Sequence, residues 1–143
     1  MRYSVLLILA ATNWSLAADA KDDAIKAELD KLQGTWQLVS VETDGKAPAE
    51  DLIKKIRVVI TGSKHTVHVG DQSPAKDIPF TIDPSKTPKE ATDTLPDGST
   101  IKSIYELDGD TLKSCVAPPG KDRPTEFKGT GGNTVRVFKR VKT

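Results

Sequence analysis

The segment formed by residues 135–139, Val-Arg-Val-Phe-Lys, holds the side chains best suited to bind a charged ligand. An arginine in a closed interior needs an anionic partner, and its guanidinium can hold a carboxylate through two parallel hydrogen bonds. In a strand, Arg136 and Phe138 share one face with Arg140, while the neighbouring valines share the other. The valine face is the easier core, so we expect it to point inward and Arg136 to be solvated. An inward Arg136 that binds a carboxylate is the alternative.

Other residues with chemical potential are two histidines and one cysteine. His65 and His68 are three positions apart in a predicted strand, so their side chains should point to opposite faces and cannot share a metal ion. Cys115 could act as a nucleophile with one of them, but a lone cysteine in a strand is commonly buried as a small apolar group. We therefore expect no catalytic residue, no metal site and no cofactor, and a protein that is not an enzyme.

The charge balance and the cysteine count limit the possible partners. The 143 residues include 21 Lys and Arg and 20 Asp and Glu, so the formal net charge is +1. Such a chain offers no sustained positive field to a phosphate backbone, and we expect no nucleic-acid partner. Cys115 is the only cysteine, so no intramolecular disulfide can form. Stability must come from the core and the sheet.

Residues 1–20 have the features of a secretory signal peptide. An early Arg2 precedes a short apolar run, and small residues follow at positions that suit cleavage after Ala17 or Ala20. A membrane anchor is the alternative, but the run is shorter than the ~20 apolar residues that cross a bilayer. We therefore expect export to the periplasm or the medium, no stable membrane anchor, and one domain over residues 21–143.

The rest of the chain predicts two short helices and a series of strands. Residues 21–32 have apolar side chains at helical spacing, and this helix could cover an end of a barrel or, as we favour, pack on its outside. Residues 48–55 begin with a proline and acids and end with lysines, as a second short helix does. The predicted strands are residues 35–42, 57–61, 64–69, 78–82, 90–94, 100–107, 111–117, 125–128 and 134–140.

Short strands at this spacing indicate an all-β sandwich or barrel. Asp-Gly pairs such as Asp44-Gly45 predict tight turns, because both central residues of a type I′ turn need positive φ. Trp36, near the start of the first strand, suits the closed end of a barrel. Its ring can bury a large area there while its N–H reaches one acceptor.

Residues 34–42, which open with Gly34, a threonine and Trp36, resemble the first strand of the calycins, the group that includes lipocalins and fatty-acid-binding proteins. In that group the indole closes one end of the barrel and an arginine of the last strand packs over it. The resemblance implies a structural plug made of Gly34, Trp36 and either Arg140 or Arg136, with a cation–π contact of ~0.5–2 kcal/mol.

The last strand resembles the Arg-x-Tyr step with which fatty-acid-binding proteins hold a carboxylate. Arg136 matches the arginine, but Phe138 lacks the hydroxyl group of the tyrosine. A closer resemblance covers almost all of residues 21–143. It is to a family of exported lipocalin-like domains, expanded in planctomycetes, that has no assigned function. The residues that carry it are 32–36, 83–88, 104–112, 119–127 and 139–140.

These resemblances imply a lipocalin-like antiparallel β-barrel of about eight strands with one or two short helices. The function they favour is binding of a small apolar, amphipathic or carboxylate-bearing ligand, with Trp36, Arg136 and Phe138 as contact residues. The alternative is an interaction or envelope module with a filled barrel, whose loops 83–88 and 117–123 meet a protein partner. Interior volume decides between them, because an eight-stranded barrel can be just filled or just hollow. The expected lining is Trp36, Leu38, Phe80, Ile82, Ile104 and Phe127.

Overall fold

Eight antiparallel strands form a closed barrel in which each strand pairs with the next and the last pairs with the first. The structure is a computed structural model that describes residues 14–142, with side chains from Asp19 onward. The predicted leader lies largely outside these residues. The lipocalin-like barrel expected from the sequence is confirmed. The helices are α1 (Trp14–Leu32) and α2 (Glu50–Ile53). The strands are β1 (Gly34–Thr43), β2 (Ile56–Thr61), β3 (Lys64–Val69), β4 (Gln72–Asp83), β5 (Lys89–Thr94), β6 (Thr100–Asp108), β7 (Thr111–Val116) and β8 (Thr134–Arg140).

One predicted strand is wrong. Residues 125–128 lie in a long loop, residues 117–133, between β7 and β8. The prolines of this stretch lack a backbone N–H for a ladder, and the loop packs instead on the outer face of the barrel. There the Cys115 thiol donates a hydrogen bond to the Lys128 carbonyl at 3.5 Å.

The turn at Asp44-Gly45 has the geometry that its sequence predicts. Asp44 and Gly45 have φ values of 51° and 76°, and Thr43 and Lys46 bridge across them. This turn does not join two barrel strands. It leads into α2, whose Ile53 is buried against the core beside β1.

A β-bulge in β1 determines which of its side chains enter the barrel. The pairing of β1 with β8 shifts between Leu38 and Ser40, and Val39 is pushed outward with 48% exposure. Leu38 and Val41 therefore both pack against the core although they are three positions apart.

Helix α1 crosses one end of the barrel, so the expected outer patch is wrong. Ile25 and Leu29 pack against the core cluster. Buried Glu28 accepts hydrogen bonds from Tyr105 of β6 at 3.2 Å and from Lys89 of β5 at 2.8 Å. The helix therefore bonds to β5 and β6 and covers the end of the cavity that Leu32 lines, where its apolar face is buried. Within residues 14–142, no helix is both long and apolar enough to cross a membrane.

The same end of the barrel contains the predicted plug residues. Trp36 is fully buried and its indole N–H donates to the Leu32 carbonyl at 2.9 Å. The Arg140 guanidinium lies over the indole at 4.3 Å and also donates to the carbonyls of Lys31 and Gln33. These contacts connect the C-terminal end of α1 to β1 and β8.

Candidate functional site

The barrel contains a cavity of about 130 Å³. Apolar side chains line the part of the cavity next to α1, and several polar side chains line the part further along the strands. Its lining is mainly aliphatic and aromatic, with a few polar groups that converge on it. The lining residues are Leu32, Val58, Ile60, His65, Val67, Phe80, Ile82, Ala91, Asp93, Ser103, Tyr105, Leu112, Ser114, Val116, Arg136 and Phe138. An apolar pocket with a small number of polar groups is the usual form of a small-molecule site.

The orientation of β8 corrects the expectation that its valines face inward. Phe138 pairs with Leu38 and Leu112, which pack against the core, and Arg136 pairs with Ser114, which lines the cavity. The interior face of β8 is therefore the arginine face.

The valines of β8 remain half-buried on the outer face. Val135 pairs with Cys115, which is fully buried beneath the loop of residues 117–133. The apolar face of β8 thus has its own cover outside the barrel. This explains why the valine pattern did not identify the interior.

Arg136 is half-buried and lines the cavity, and its side chain makes no hydrogen bond or ion pair with another described side chain or backbone group. Burial lowers the pKa of its guanidinium, while the charge of Asp93 partly opposes that effect. Asp93 also lines the cavity, but its carboxylate lies beyond ion-pair distance of Arg136. A guanidinium that is partly removed from water and has no acceptor for its five donors is costly, so this side chain is prepared for an anionic partner.

Opposite Arg136, His65 of β3 and Asp93 of β5 form a polar pair. His65 Nε2 and Asp93 Oδ2 are 3.0 Å apart, across the intervening Phe80 of β4. Nε2–H therefore donates to the carboxylate when the imidazole is neutral. His65 Nδ1 is buried and has no hydrogen-bond partner among the described residues.

Tyr105 lines the cavity and forms part of its closed end. Its hydroxyl donates to Glu28, and burial together with the Glu28 charge raises the pKa of the phenol well above its usual range. The phenol therefore stays protonated at neutral pH. Lys89 neutralises Glu28, so this cluster does not supply a free charge to the cavity.

The predicted contact residues do not all meet. Arg136 and Phe138 both line the cavity, whereas Trp36 lies in the plug outside the lining. Of the other predicted lining residues, Phe80 and Ile82 are correct, and Leu38 packs in the core cluster without lining the cavity. Two are wrong: Ile104 pairs with outward-facing Cys115, and the Phe127 ring lies in the outer loop beneath the Lys113 ammonium.

The two histidines point to opposite faces, as their spacing predicts. His65 faces the cavity, and His68 bonds Ser73 on the exposed outer surface. Cys115 lies outside the barrel wall and cannot meet His65. Burial raises the pKa of its thiol, which disfavours the reactive thiolate.

Sequence reasoning missed the polar pair of His65 and Asp93, and the serines Ser103 and Ser114. Polar residues at inward-facing strand positions would have indicated these side chains. Recognising such positions requires knowing which face of each strand points inward, and no single segment of the sequence gives that information. Within residues 14–142, no three His, Cys, Asp or Glu side chains converge as for a metal ion.

The cavity thus has an apolar wall, the unpaired guanidinium of Arg136 and, beyond ion-pair distance from it, the carboxylate of Asp93. This arrangement can hold the negative end of a small molecule and bury the rest of it. No protein-family model matches the chain, and no curated protein matches it. The resemblance to exported lipocalin-like domains therefore stays a prediction from the sequence.

Proposed function

We propose that this protein is a small-molecule binding module whose barrel holds a small carboxylate, with the anionic group on Arg136. The observation that carries the proposal is the half-buried Arg136 guanidinium, which lines the cavity without an acceptor among the described residues. A carboxylate would supply two acceptors in the planar geometry that guanidinium favours.

Cavity size limits the ligand. Pockets for drug-sized ligands occupy roughly 300–1,000 Å³, and an engineered cavity of about 150 Å³ holds benzene. At about 130 Å³, the interior suits a molecule with a single ring or a short branched chain rather than a long acyl chain. An aromatic monocarboxylate such as benzoate is the test ligand that fits these limits.

The interior supports ligand binding ahead of the alternative of a filled barrel that recognises a protein partner. A purely structural interior would have no use for an unpaired guanidinium beside aliphatic side chains, because even partial removal of that charge from water costs free energy. The two loops of the alternative do meet at a groove that includes Pro88, Arg123 and Pro124. Arg123 there is already occupied, since it donates to the carbonyls of Ala91 and Ser103.

Titration calorimetry with benzoate and with neutral benzamide tests the proposal. At about 0.5–0.8 kcal/mol per non-hydrogen atom, the nine atoms of benzoate correspond to a Kd between roughly 5 µM and 0.5 mM. Benzamide has nearly the same shape without the charge, so it should bind at least tenfold more weakly. Equal affinity for benzoate and benzamide would mean that the site is purely apolar and that Arg136 has no role in binding.

The matched variants are Arg136→Gln and Arg57→Gln. Arg57 is an exposed residue of β2 that faces away from the cavity, so its replacement should leave benzoate binding unchanged. Arg136→Gln should weaken benzoate binding at least tenfold and benzamide binding little. Absence of benzoate binding to the unmodified protein at millimolar concentration would refute the proposal.

We also propose that the protein is exported and acts without catalysis. Cleavage after Ala17 or Ala20 would shorten α1 but keep Ile25 and Leu29, which pack against the barrel core. The intact mass of the exported protein tests this, because a mass that includes residues 1–17 would contradict cleavage. Support for a non-catalytic role comes from Cys115, which the barrel wall separates from His65.

A further inference from the structure

The cavity contains a second set of charges whose balance changes when an anion binds to Arg136. Without ligand, the negative charge of Asp93 faces the positive charge of Arg136, and His65 shares a hydrogen bond with Asp93. An added carboxylate would leave the low-dielectric interior with one uncompensated negative charge. Uptake of one proton would restore neutrality.

The group positioned to take that proton is the pair formed by His65 and Asp93. Its two side chains share a hydrogen bond of 3.0 Å and are both mostly buried, with side-chain exposures of 18% and 25%. Two coupled groups take up a proton as a unit, and histidine is the side chain that ordinarily changes charge between pH 5 and 8.

None of the other titratable groups near the cavity is positioned to take up the proton, so the His65–Asp93 pair is the acceptor. Arg136 from β8 is the cation that the ligand would neutralise. Tyr105 from β6 is already protonated and bonded to Glu28 of α1, which Lys89 of β5 neutralises. The β4 side chains next to His65 are Ile78 and Phe80, which do not titrate.

We propose that binding of a carboxylate at Arg136 is coupled to uptake of one proton by the His65–Asp93 pair, so that affinity increases as pH falls. This inference rests on the proposed function, since it concerns the same site. In the ligand-free protein, Arg136 opposes a second positive charge nearby. When a carboxylate neutralises Arg136, that opposition ends and the added proton offsets the new negative charge.

Linkage gives the size of the effect. Where the free protein lacks the proton and the complex holds it, Kd rises up to tenfold for each unit of pH. Benzoate stays ionised above pH 5.5, because carboxylic acids titrate near pH ~4. Any pH dependence above that value therefore arises in the protein.

Calorimetry of benzoate binding between pH 5.5 and 7.5, in pairs of buffers with different ionisation enthalpies, counts the protons directly. Buffers with carboxylate or phosphate groups are avoided because they would compete. We expect uptake approaching one proton and a Kd that rises at least fivefold per pH unit over part of this range. Binding with a Kd that changes less than twofold and no proton uptake would overturn the coupling while leaving the proposed function intact.

Two variants separate the pair from other sources of pH dependence. Asp93→Asn keeps an acceptor for His65 but removes the charge, so benzoate affinity should become nearly independent of pH. His68→Gln removes the outward histidine of the same strand and should change nothing. A pH dependence that persists in a folded Asp93→Asn protein would contradict the assignment. No benzoate binding at any pH would remove both proposals together.

Discussion

Replacing Arg136 by methionine should stabilise the ligand-free protein and abolish carboxylate binding. A guanidinium held in an apolar cavity without an acceptor lowers stability, and methionine keeps most of the side-chain length without the charge. Arg140 provides the matched control, because it lies on the same face of the same strand four residues away. Its guanidinium is fully engaged, with two backbone carbonyls, Asp110 and the ring of Trp36.

The size of the effect follows from the opposing contributions. Removing a half-buried ion that has no partner recovers part of the several kcal/mol that full desolvation costs. Attraction to Asp93 offsets part of this but stays below ~4 kcal/mol at distances beyond about 4 Å. Asp93 keeps the hydrogen bond from His65 in the variant, so it is not left without a partner. We expect the free energy of unfolding to rise by about 1–3 kcal/mol for Arg136→Met, and to fall by about 2–4 kcal/mol for Arg140→Met.

Urea unfolding followed by tryptophan fluorescence measures both changes. With a slope of ~2 kcal/mol per molar urea, the midpoint should move up by ~0.5–1.5 M for Arg136→Met and down by ~1–2 M for Arg140→Met. The test is the opposite sign of the two shifts. If Arg136→Met lowered the midpoint by 0.5 M or more, Arg136 would be a structural residue and the reasoning about the site would be refuted.

Three further predictions concern the elements around the site. Gly34→Ala should lower the free energy of unfolding by about 1–3 kcal/mol, because Gly34 has φ of 121° and the added Cβ would lie 3.2 Å from Arg140 Nη1. Gly70→Ala is the control, since a Cβ there meets open space. A smaller loss of stability in urea for Gly34→Ala than for Gly70→Ala would contradict this prediction. The raised pKa of Tyr105 means that its phenol keeps its proton in the folded state, so the free energy of unfolding should fall as pH rises above about 10, where the unfolded chain ionises. Tyr105→Phe should flatten that decline, and an unchanged slope would disprove the assignment. The Cys115 thiol should resist iodoacetamide in the native protein and react fully in urea, because it is completely buried and its pKa is raised; rapid native labelling would show that the outer loop does not cover it.

The strand pattern alone indicated a sandwich or a barrel, the calycin resemblance favoured the barrel, and neither revealed the arrangement of its interior. Alternation and turn residues located all eight strands, since both signals are local. The helix of residues 21–32 was also found, although α1 begins earlier, at Trp14. The sequence does not show which surface of the barrel α1 covers, because an amphipathic helix has the same pattern whether it packs on the end of a barrel or on its outer wall.

The direction of β8 shows why the site was harder to predict. Its two faces were distinguished correctly, but the choice between them depended on the non-periodic loop of residues 117–133, which covers the valines from outside. The pairing of His65 with Asp93 was equally invisible. The two residues are 28 positions apart in the sequence. They meet because their strands, β3 and β5, lie on either side of β4 in the barrel.

A crystal structure of the protein grown with benzoate would show whether the barrel binds a carboxylate at Arg136. We expect the ring in the barrel cavity among Phe80, Leu112 and Phe138, with both carboxylate oxygens ~3 Å from the guanidinium of Arg136. Benzoate bound only elsewhere, or Arg136 paired with a protein carboxylate while the cavity is filled by side chains, would contradict it.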